Sequence, residues 1–192
     1  MPRLTPENKE RRARRMREEI CRTFAAMAAE EGDVSMERLA EKVGIAKGTI
    51  YNYFRDKAEL TAAVMESRRE LMLAAMEQTI PEQAPPGEQL GRFVRIMIDD
   101  FNRHRHLRME YLRSNPVRAV SKKPRPVDIL IRIIERGIAR GVFRAQRPEE
   151  AALFIFCSLT GKFRHLLLND LAAIPDEEYR VMMDYLLAAL KK

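Results

Sequence analysis

The chain has 192 residues, of which 46% are hydrophobic and 33% are charged, and its formal net charge is +7. This composition is that of an ordinary soluble globular protein, and it excludes a disordered or fibrous one. The length is enough to bury a substantial core, and it leaves open one domain or a small domain joined to a larger one.

The positive charge is unevenly distributed along the chain. Residues 1–57 carry 13 Lys and Arg against 10 Asp and Glu, whereas residues 103–147 carry 13 against 3. A basic surplus favours a polyanionic partner and says nothing about fold. In the first segment it forms a basic arm, which is either a solvated helix face or a segment that follows a DNA groove. The arm consists of Arg3, Lys9, Arg11, Arg12, Arg14, Arg15, Arg17 and Arg22.

A second basic cluster lies in the middle of the chain. It has three interpretations: a solvated surface, a second contact with DNA, or attraction of an anionic ligand. The solvated surface is favoured because most charge runs are solvated faces. The cluster consists of Arg103, Arg105, Arg108, Arg113, Arg118, Lys122, Lys123 and Arg125.

The cysteines and the apolar runs indicate a reduced cytoplasmic protein. Cys21 and Cys157 lie in separate helical stretches without a nearby Cys or His, so neither a disulfide framework nor a zinc site is predicted. The chain begins with charge and lacks the apolar core of a signal peptide. The longest apolar-rich stretch, Ala151–Gly161, is too short to span a bilayer, and no membrane partner is expected.

Proline and glycine divide the sequence into helical lengths, and β-type alternation is absent, so the predicted fold class is all-α. The first helix is predicted over Pro6–Glu31, with Gly32 as its terminator. A short helix follows, capped by Ser35 and ended by Gly44. A second short helix is predicted over Ala46–Phe54.

A long helix is predicted from Asp56 to about Thr79, because Asp56 with Glu59 forms a capping-box start. A loop over Pro81–Gly87 follows. The next helix places six apolar residues on one face: Leu90, Phe93, Val94, Met97, Ile98 and Phe101. Further helices are predicted up to Asn115, from Pro126 to the break at Gly141, from Pro148 to Leu168, and from Asp176 onward.

The last two helices carry more apolar surface than one chain can cover. The helix from Pro148 is apolar on more than one face, and the final helix has a wide apolar stripe. We therefore predict that they pack against a second copy of the chain. The candidate interface residues are Ile155, Leu159, Met183, Leu186, Leu187 and Leu190.

Residues 35–54 have the layout of a helix-turn-helix. Gly44 permits a positive φ at the turn, and Ala40 is small enough for two helices to cross closely. The second helix then presents its outer side, and helix N-terminal residues of this motif enter the major groove. Lys47 to Thr49 would lie deepest. The inward positions are Leu39, Ala40, Val43, Ile45 and Ile50.

The outer side combines a cation, an open backbone at glycine and hydrogen-bonding side chains, which suit phosphates and base edges. Ser35 is expected to cap its helix more than to contact a base, and at least one of the two tyrosines is expected to face DNA. Lys57 is expected to hold the DNA backbone. The candidate DNA-binding residues are Ser35, Lys47, Gly48, Thr49, Tyr51, Asn52, Tyr53 and Lys57.

The run from Leu39 to Leu60 resembles the signature of the TetR/AcrR family, and the resemblance covers residues 16–60. It implies a homodimer with about nine helices per subunit, two helix-turn-helix heads on a pseudo-palindromic operator, and a body whose small-molecule effector releases DNA. The family commonly has serine where this chain has Ala46, so the recognition helix lacks a side-chain cap. Losing such a cap costs about 1 kcal/mol.

The resemblance divides the chain into a DNA-binding domain, residues 1–57, and a ligand-binding and dimerisation domain, residues 58–192. The effector is hypothesised to be apolar with an anionic end, because the body combines apolar stripes with the basic cluster. Each candidate pocket residue is equally compatible with an ordinary core. The candidates are Phe93, Met97, Phe101, Tyr111, Phe154, Cys157 and His165.

An enzyme is not indicated. The sequence has no phosphate-binding glycine loop, nucleophile elbow or zinc-protease motif, and the adjacent Asp99 and Asp100 face different directions. None of His104, His106 and His165 has a second ligand at helical spacing, so no metal or cofactor is expected. The favoured function is a ligand-released repressor. The alternative, a helical partner-binding or architectural protein, predicts sequence-indifferent DNA binding or none.

Overall fold

The structure is a computed structural model that describes residues 5–114 and 125–191, and these residues form only helices and their connections. The predicted all-α class is confirmed for them. Arg118, Lys122 and Lys123 of the basic cluster lie outside the described residues. The helices are α1 (Pro6–Glu31), α2 (Met36–Val43), α3 (Lys47–Tyr51), α4 (Lys57–Thr79), α5 (Pro86–Arg103), α6 (Arg105–Ser114), α7 (Pro126–Ala139), α8 (Pro148–Leu168) and α9 (Asp176–Leu190).

The described residues form two compact units. The head contains residues up to 68 together with α6, and the body contains residues 69–103 together with α7, α8 and α9. The head thus extends past residue 57, where the sequence places a domain boundary. It does so because Leu60, Val64 and Leu107 are buried in the same core as α1 and α2.

The bounds of α1 are those predicted, and both ends have local causes. The Thr5 side chain accepts a hydrogen bond from the Asn8 backbone N at 3.4 Å, and Pro6 occupies the first turn. Gly32 ends the helix with a φ of +82°. Only the second half of α1 carries buried core residues, namely Ile20, Phe24, Met27 and Ala28.

The turn between α2 and α3 follows the predicted chemistry. Ser35 Oγ accepts a hydrogen bond from Arg38 N at 3.2 Å, which confirms the capping role. Gly44 is left-handed, with φ +77° and ψ 32°, and its N–H donates to the Ala40 carbonyl at 2.9 Å. Helix α3 is shorter than predicted. It ends at Tyr51 because the chain tightens into a turn. In this turn the Ile50 carbonyl accepts hydrogen bonds from the backbone N–H groups of Tyr53 and Phe54.

The start of α4 is a capping box displaced by one residue. Asp56 Oδ1 accepts from Glu59 N at 2.8 Å, and Glu59 Oε2 accepts from Arg55 N at 2.9 Å instead of from the cap residue itself. The bond from Glu59 N, followed by that from the Arg55 side chain, lowers the pKa of Asp56. The capping signal in the sequence therefore predicted this helix start correctly.

The body is built around α5. All six residues of its predicted apolar stripe are buried, and α5 packs against α7 and α9 while α7 packs against α8. Pro86 lies in the first turn of α5 and not in the preceding loop, because proline is favourable there. Buried Gln89 fixes that loop: its Nε2 donates to the carbonyls of Glu82 and Ala84, and its Oε1 accepts from Arg136.

Helix α8 is longer than the apolar stretch recognised in the sequence. By length and hydropathy alone, its 21 residues could cross a membrane, although a helix of a soluble core passes the same test. Six of its residues are buried within the body. Only a third of its apolar window is buried, so much of this helix remains uncovered in a single chain.

Candidate nucleic-acid interface

Helix α3 has one buried side and one exposed side. Ile50 is fully buried in the head core, and Phe54 just beyond the helix is 1% exposed. On the other side Lys47, Gly48 and Asn52 are exposed. Nothing lies within 4 Å of the Cβ position at Gly48, so the backbone of α3 is open to a close approach there. This is the geometry that a recognition helix needs.

The two tyrosines of this region differ in their surroundings. Tyr51 is 43% exposed on the outer side of α3. Tyr53 is half-buried against the head core, and its carbonyl accepts a hydrogen bond from Arg17 Nη1 at 2.5 Å. The Arg17 guanidinium also lies 4.1 Å from the centroid of the Phe54 ring. Tyr51 is therefore the more accessible tyrosine, while the backbone of Tyr53 holds α1.

Lys47, the cation at the start of α3, is paired with a carboxylate of the head. Lys47 Nζ forms an ion pair with Glu37 Oε1, which joins the first turn of α3 to the first turn of α2. The hydrogen bond from Lys47 lowers the pKa of Glu37, and the carboxylate raises the pKa of Lys47. Both side chains are about half exposed, so a phosphate can exchange for the carboxylate. Sequence reasoning missed Glu37 because ten residues separate the pair.

Lys57 has a different environment from the one expected of a DNA contact. Its Nζ lies 2.5 Å from Asp33 Oδ1 and 3.7 Å from Glu110 Oε2. The hydrogen bond from Lys57 is the main cause that lowers the pKa of Asp33. Lys57 therefore links the start of α4 to α6 and to the connection before α2. The remaining head candidates are exposed Ser35, which caps α2, and half-buried Thr49.

The body does not bring the seven candidate pocket residues together. Phe93, Met97 and Phe101 are buried, and the Phe101 ring stacks on that of Phe163 with a centroid separation of 4.6 Å. Tyr111 lies on α6, which belongs to the head. The candidates on α8 are exposed, because they lie on the face opposite to its buried residues; they are Phe154, Cys157 and His165.

The described body does contain a surface groove, between the ends of α4, α5 and α9. None of the seven candidates lines it. The Arg95 guanidinium stacks over the Tyr179 ring at 3.8 Å and pairs with Asp176 at 2.5 Å. Arg92 pairs with Glu88 at 2.9 Å. Both cations of the groove are thus already paired. The groove is lined by Thr79, Glu88, Gly91, Arg92, Arg95, Ile96 and Tyr179.

Five of the six candidate interface residues are buried within the chain's own body, and Leu187 is half-buried beside Gly87. The buried five are Ile155, Leu159, Met183, Leu186 and Leu190. A different set of apolar side chains is exposed on α8 and α9: Leu153, Phe154, Leu168, Val181 and Tyr185. The uncovered apolar side chains therefore lie on the same two helices, but on the other side of each helix.

The head matches a known family in sequence. Residues 27–64 match the model of the bacterial regulatory proteins of the tetR family. The resemblance inferred from the sequence is therefore confirmed over the helix-turn-helix. No curated protein matches the chain as a relative.

Several solved structures share the fold over nearly the whole chain. One, described as a TetR-family transcriptional regulator from Mesorhizobium loti, is 19% identical, with a TM-score of 0.67, and the match covers 94% of this chain and 99% of that one. RolR in complex with resorcinol is 21% identical, with a TM-score of 0.63 and coverage of 94% and 90%. A regulator from Saccharomonospora viridis in complex with choline is 18% identical, with a TM-score of 0.67 and coverage of 92% and 97%.

Proposed function

We propose that the protein is a sequence-specific transcriptional regulator that binds operator DNA, because residues 27–64 match the model of the tetR family of bacterial regulatory proteins. The observation that carries this proposal is the exposed outer side of α3, whose inner side is anchored by buried Ile50. An anchored helix with polar groups on its free side can enter a major groove without unfolding.

The residues on the outer side of α3 are expected to make different contacts with DNA. Lys47, Gly48 and Thr49 form the first turn of α3 and enter the groove deepest, where a lysine can reach guanine and the open glycine backbone can approach the DNA closely. Tyr51 and Asn52 follow on the exposed side and contact base edges or phosphates. Ser35 and Lys57 flank this surface. Ser35 caps α2, and Lys57, in the first turn of α4, is held by its ion pair with Asp33.

We further propose that the protein acts as a homodimer, which presents two heads to a pseudo-palindromic operator. The support is the apolar face of α8 and α9, on which Phe154 is 70% exposed and Tyr185 is 74% exposed. A second copy of the same face would cover these rings, since a twofold interface joins a surface to itself. This face replaces the buried residues, such as Leu186, that the sequence suggested.

We propose, finally, that the regulator is a cytoplasmic repressor whose body binds a small effector and thereby releases DNA. Structures with the same fold hold resorcinol and choline, which shows that this fold accommodates small molecules. Residues of α4 up to Arg68 belong to the head, and those from Arg69 belong to the body. An apolar effector with an anionic end is expected, and native mass spectrometry that finds only cationic compounds would contradict it.

Replacement of Tyr51 by Ala tests the recognition surface. We expect operator binding to weaken by about 1 to 3 kcal/mol at fixed salt, the scale of one lost specific contact. The dimer and the helical content should not change, because Tyr51 is exposed and contributes little to the core. Tyr51→Phe separates the contributions of the two parts of the side chain, since it keeps the ring and removes only the hydroxyl. Unchanged affinity in Tyr51→Ala would remove this residue from the interface.

Replacement of Glu37 by Gln tests the competition for Lys47. Without the carboxylate, the Lys47 ammonium is free for a phosphate or base, so binding should tighten severalfold. The slope of log affinity against log salt should also become steeper, by the amount that one additional phosphate contact per head contributes. Glu41→Gln is the matched control, because Glu41 is exposed one turn later on the same helix. Equal tightening in both variants would mean that the loss of a negative charge, and not the release of Lys47, strengthens DNA binding.

A further inference from the structure

The front half of α1, residues 6–15, has no place in the head core. Every residue from Lys9 to Arg15 is exposed, and the first partly buried apolar side chain that packs on the core is Met16. At 1.5 Å per residue, these ten residues are a helical extension of about 15 Å. Packing therefore does not explain why this part of α1 is present as a helix.

Local interactions form the helix here, and three arginines gather on one of its faces. Thr5 caps it, and Arg11 Nη2 donates to Asn8 Oδ1 at 2.8 Å. Arg11, Arg14 and Arg15 occupy positions i, i+3 and i+4, so they share one face. Like charges at these spacings repel one another, while Glu7 and Glu10, four residues before Arg11 and Arg14, offset part of this repulsion.

The arginines of this face differ in their partners from three other cations of the head. Lys47, Lys57 and Arg38 each pair with a carboxylate of the head. Among the described residues, by contrast, Arg14 and Arg15 pair with no carboxylate, and Arg11 bonds only to the neutral amide of Asn8. Their guanidinium groups therefore remain available to phosphates, which they can bind in bidentate fashion.

Arg17 fixes where this face begins. It donates to the Tyr53 carbonyl and stacks on the Phe54 ring, so α1 is held at the end of the recognition segment. Arg14 lies one helical turn before Arg17, and Arg11 lies about 9 Å before it along the helix axis. The unpaired arginines thus extend outward from the edge of the proposed DNA surface.

We propose that the front half of α1 is a second DNA-binding element, in which Arg11, Arg14 and Arg15 bind backbone phosphates that flank each half-site. This inference rests on the proposed function. The contact adds affinity without base preference, because phosphates are the same in every sequence. It also makes binding depend on the length of the duplex beyond the palindrome.

The test compares two dimeric proteins of equal net charge with the wild type. One carries Arg11→Gln, Arg14→Gln and Arg15→Gln. The control carries Arg132→Gln, Arg144→Gln and Arg147→Gln, three exposed arginines of the body. Each protein is titrated over a range of salt against the palindrome that the wild type enriches from random duplexes, and against the same palindrome with about ten added base pairs, one helical turn, on each side.

The wild type and the control should bind the longer duplex more tightly than the shorter one. The α1 variant should lose this gain, and its slope of log affinity against log salt should be shallower by about 5, for three phosphate contacts in each of two subunits. Its preferred palindrome should not change. A slope and a length dependence equal to those of the control would overturn the inference. A wild type that selects no palindrome would instead contradict the proposed function.

Discussion

Replacement of Phe154 and Tyr185 by Glu is expected to give a monomeric protein that no longer binds a palindromic operator. The two rings are 70% and 74% exposed in a single chain and lie on α8 and α9, so we expect a second copy to cover them in the proposed dimer. Four charges placed in the twofold interface would have to be buried without partners, which is strongly unfavourable. Loss of the second head should reduce operator affinity by at least about 100-fold, the scale of lost bivalency.

Sedimentation velocity measures this prediction directly, and the exposed apolar Leu71 offers a control. Leu71 is 63% exposed on α4, so Leu71→Glu makes a comparable chemical change away from α8 and α9. The control should sediment as a dimer. If the Phe154 and Tyr185 variant also sediments as a dimer at micromolar concentration, the interface lies elsewhere. Charges at Leu186 would be a poorer test, because that side chain is 9% exposed and its replacement would disturb the core of the body.

Replacement of Gly137 by Ala is expected to destabilise the body by about 3 kcal/mol or more, through overpacking of the core. In an ordinary helix interior the same change is stabilising by up to about 1 kcal/mol. Here an added Cβ would lie 2.0 Å from Cδ2 and 2.4 Å from Cε2 of Phe143. The Phe143 ring is 1% exposed, and the Phe143 backbone N donates to the Gly137 carbonyl at 3.0 Å, so the ring cannot move away freely.

Thermal unfolding followed by circular dichroism tests this effect. A loss of this size corresponds to a fall of roughly 6 to 12 °C in Tm when the 192-residue chain unfolds as one unit. Gly48→Ala is the control, because nothing lies within 4 Å of its Cβ position, and its Tm should stay the same or rise slightly. Adding Phe143→Leu to the Gly137 variant should restore part of the loss. A Gly137 variant as stable as the wild type would show that Phe143 can repack without cost.

Much of the fold is predictable from the sequence because its signals are local. The ends of α1, α2 and α4 depend on caps and on glycines such as Gly44, which act within a few residues of the chain. The stripe of α5 is equally clear, since a helix with one apolar face has one possible orientation. The early end of α3 was not predictable, because the turn that ends it does not follow from helical periodicity.

The parts of the site that were not predicted depend on contacts between different helices. Helix α8 is apolar on several faces, so its sequence could not show that Leu159 faces the core while Phe154 faces outward. The pairing of Lys47 with Glu37 depends on the angle between two helices, and periodicity within one helix does not report that angle. The same reason hid the contact of Lys57 with Glu110 on α6.

Selection of bound duplexes from random DNA at near-physiological salt tests the central claim most directly. If the exposed side of α3 reads bases in two heads of a dimer, the selected duplexes should share a palindrome with two equal half-sites, centred about one helical turn or a multiple of it apart. The Tyr51→Ala protein should enrich the same palindrome less. If the wild-type protein enriches no sequence, it does not recognise an operator, and a partner-binding or sequence-indifferent role would take the place of regulation.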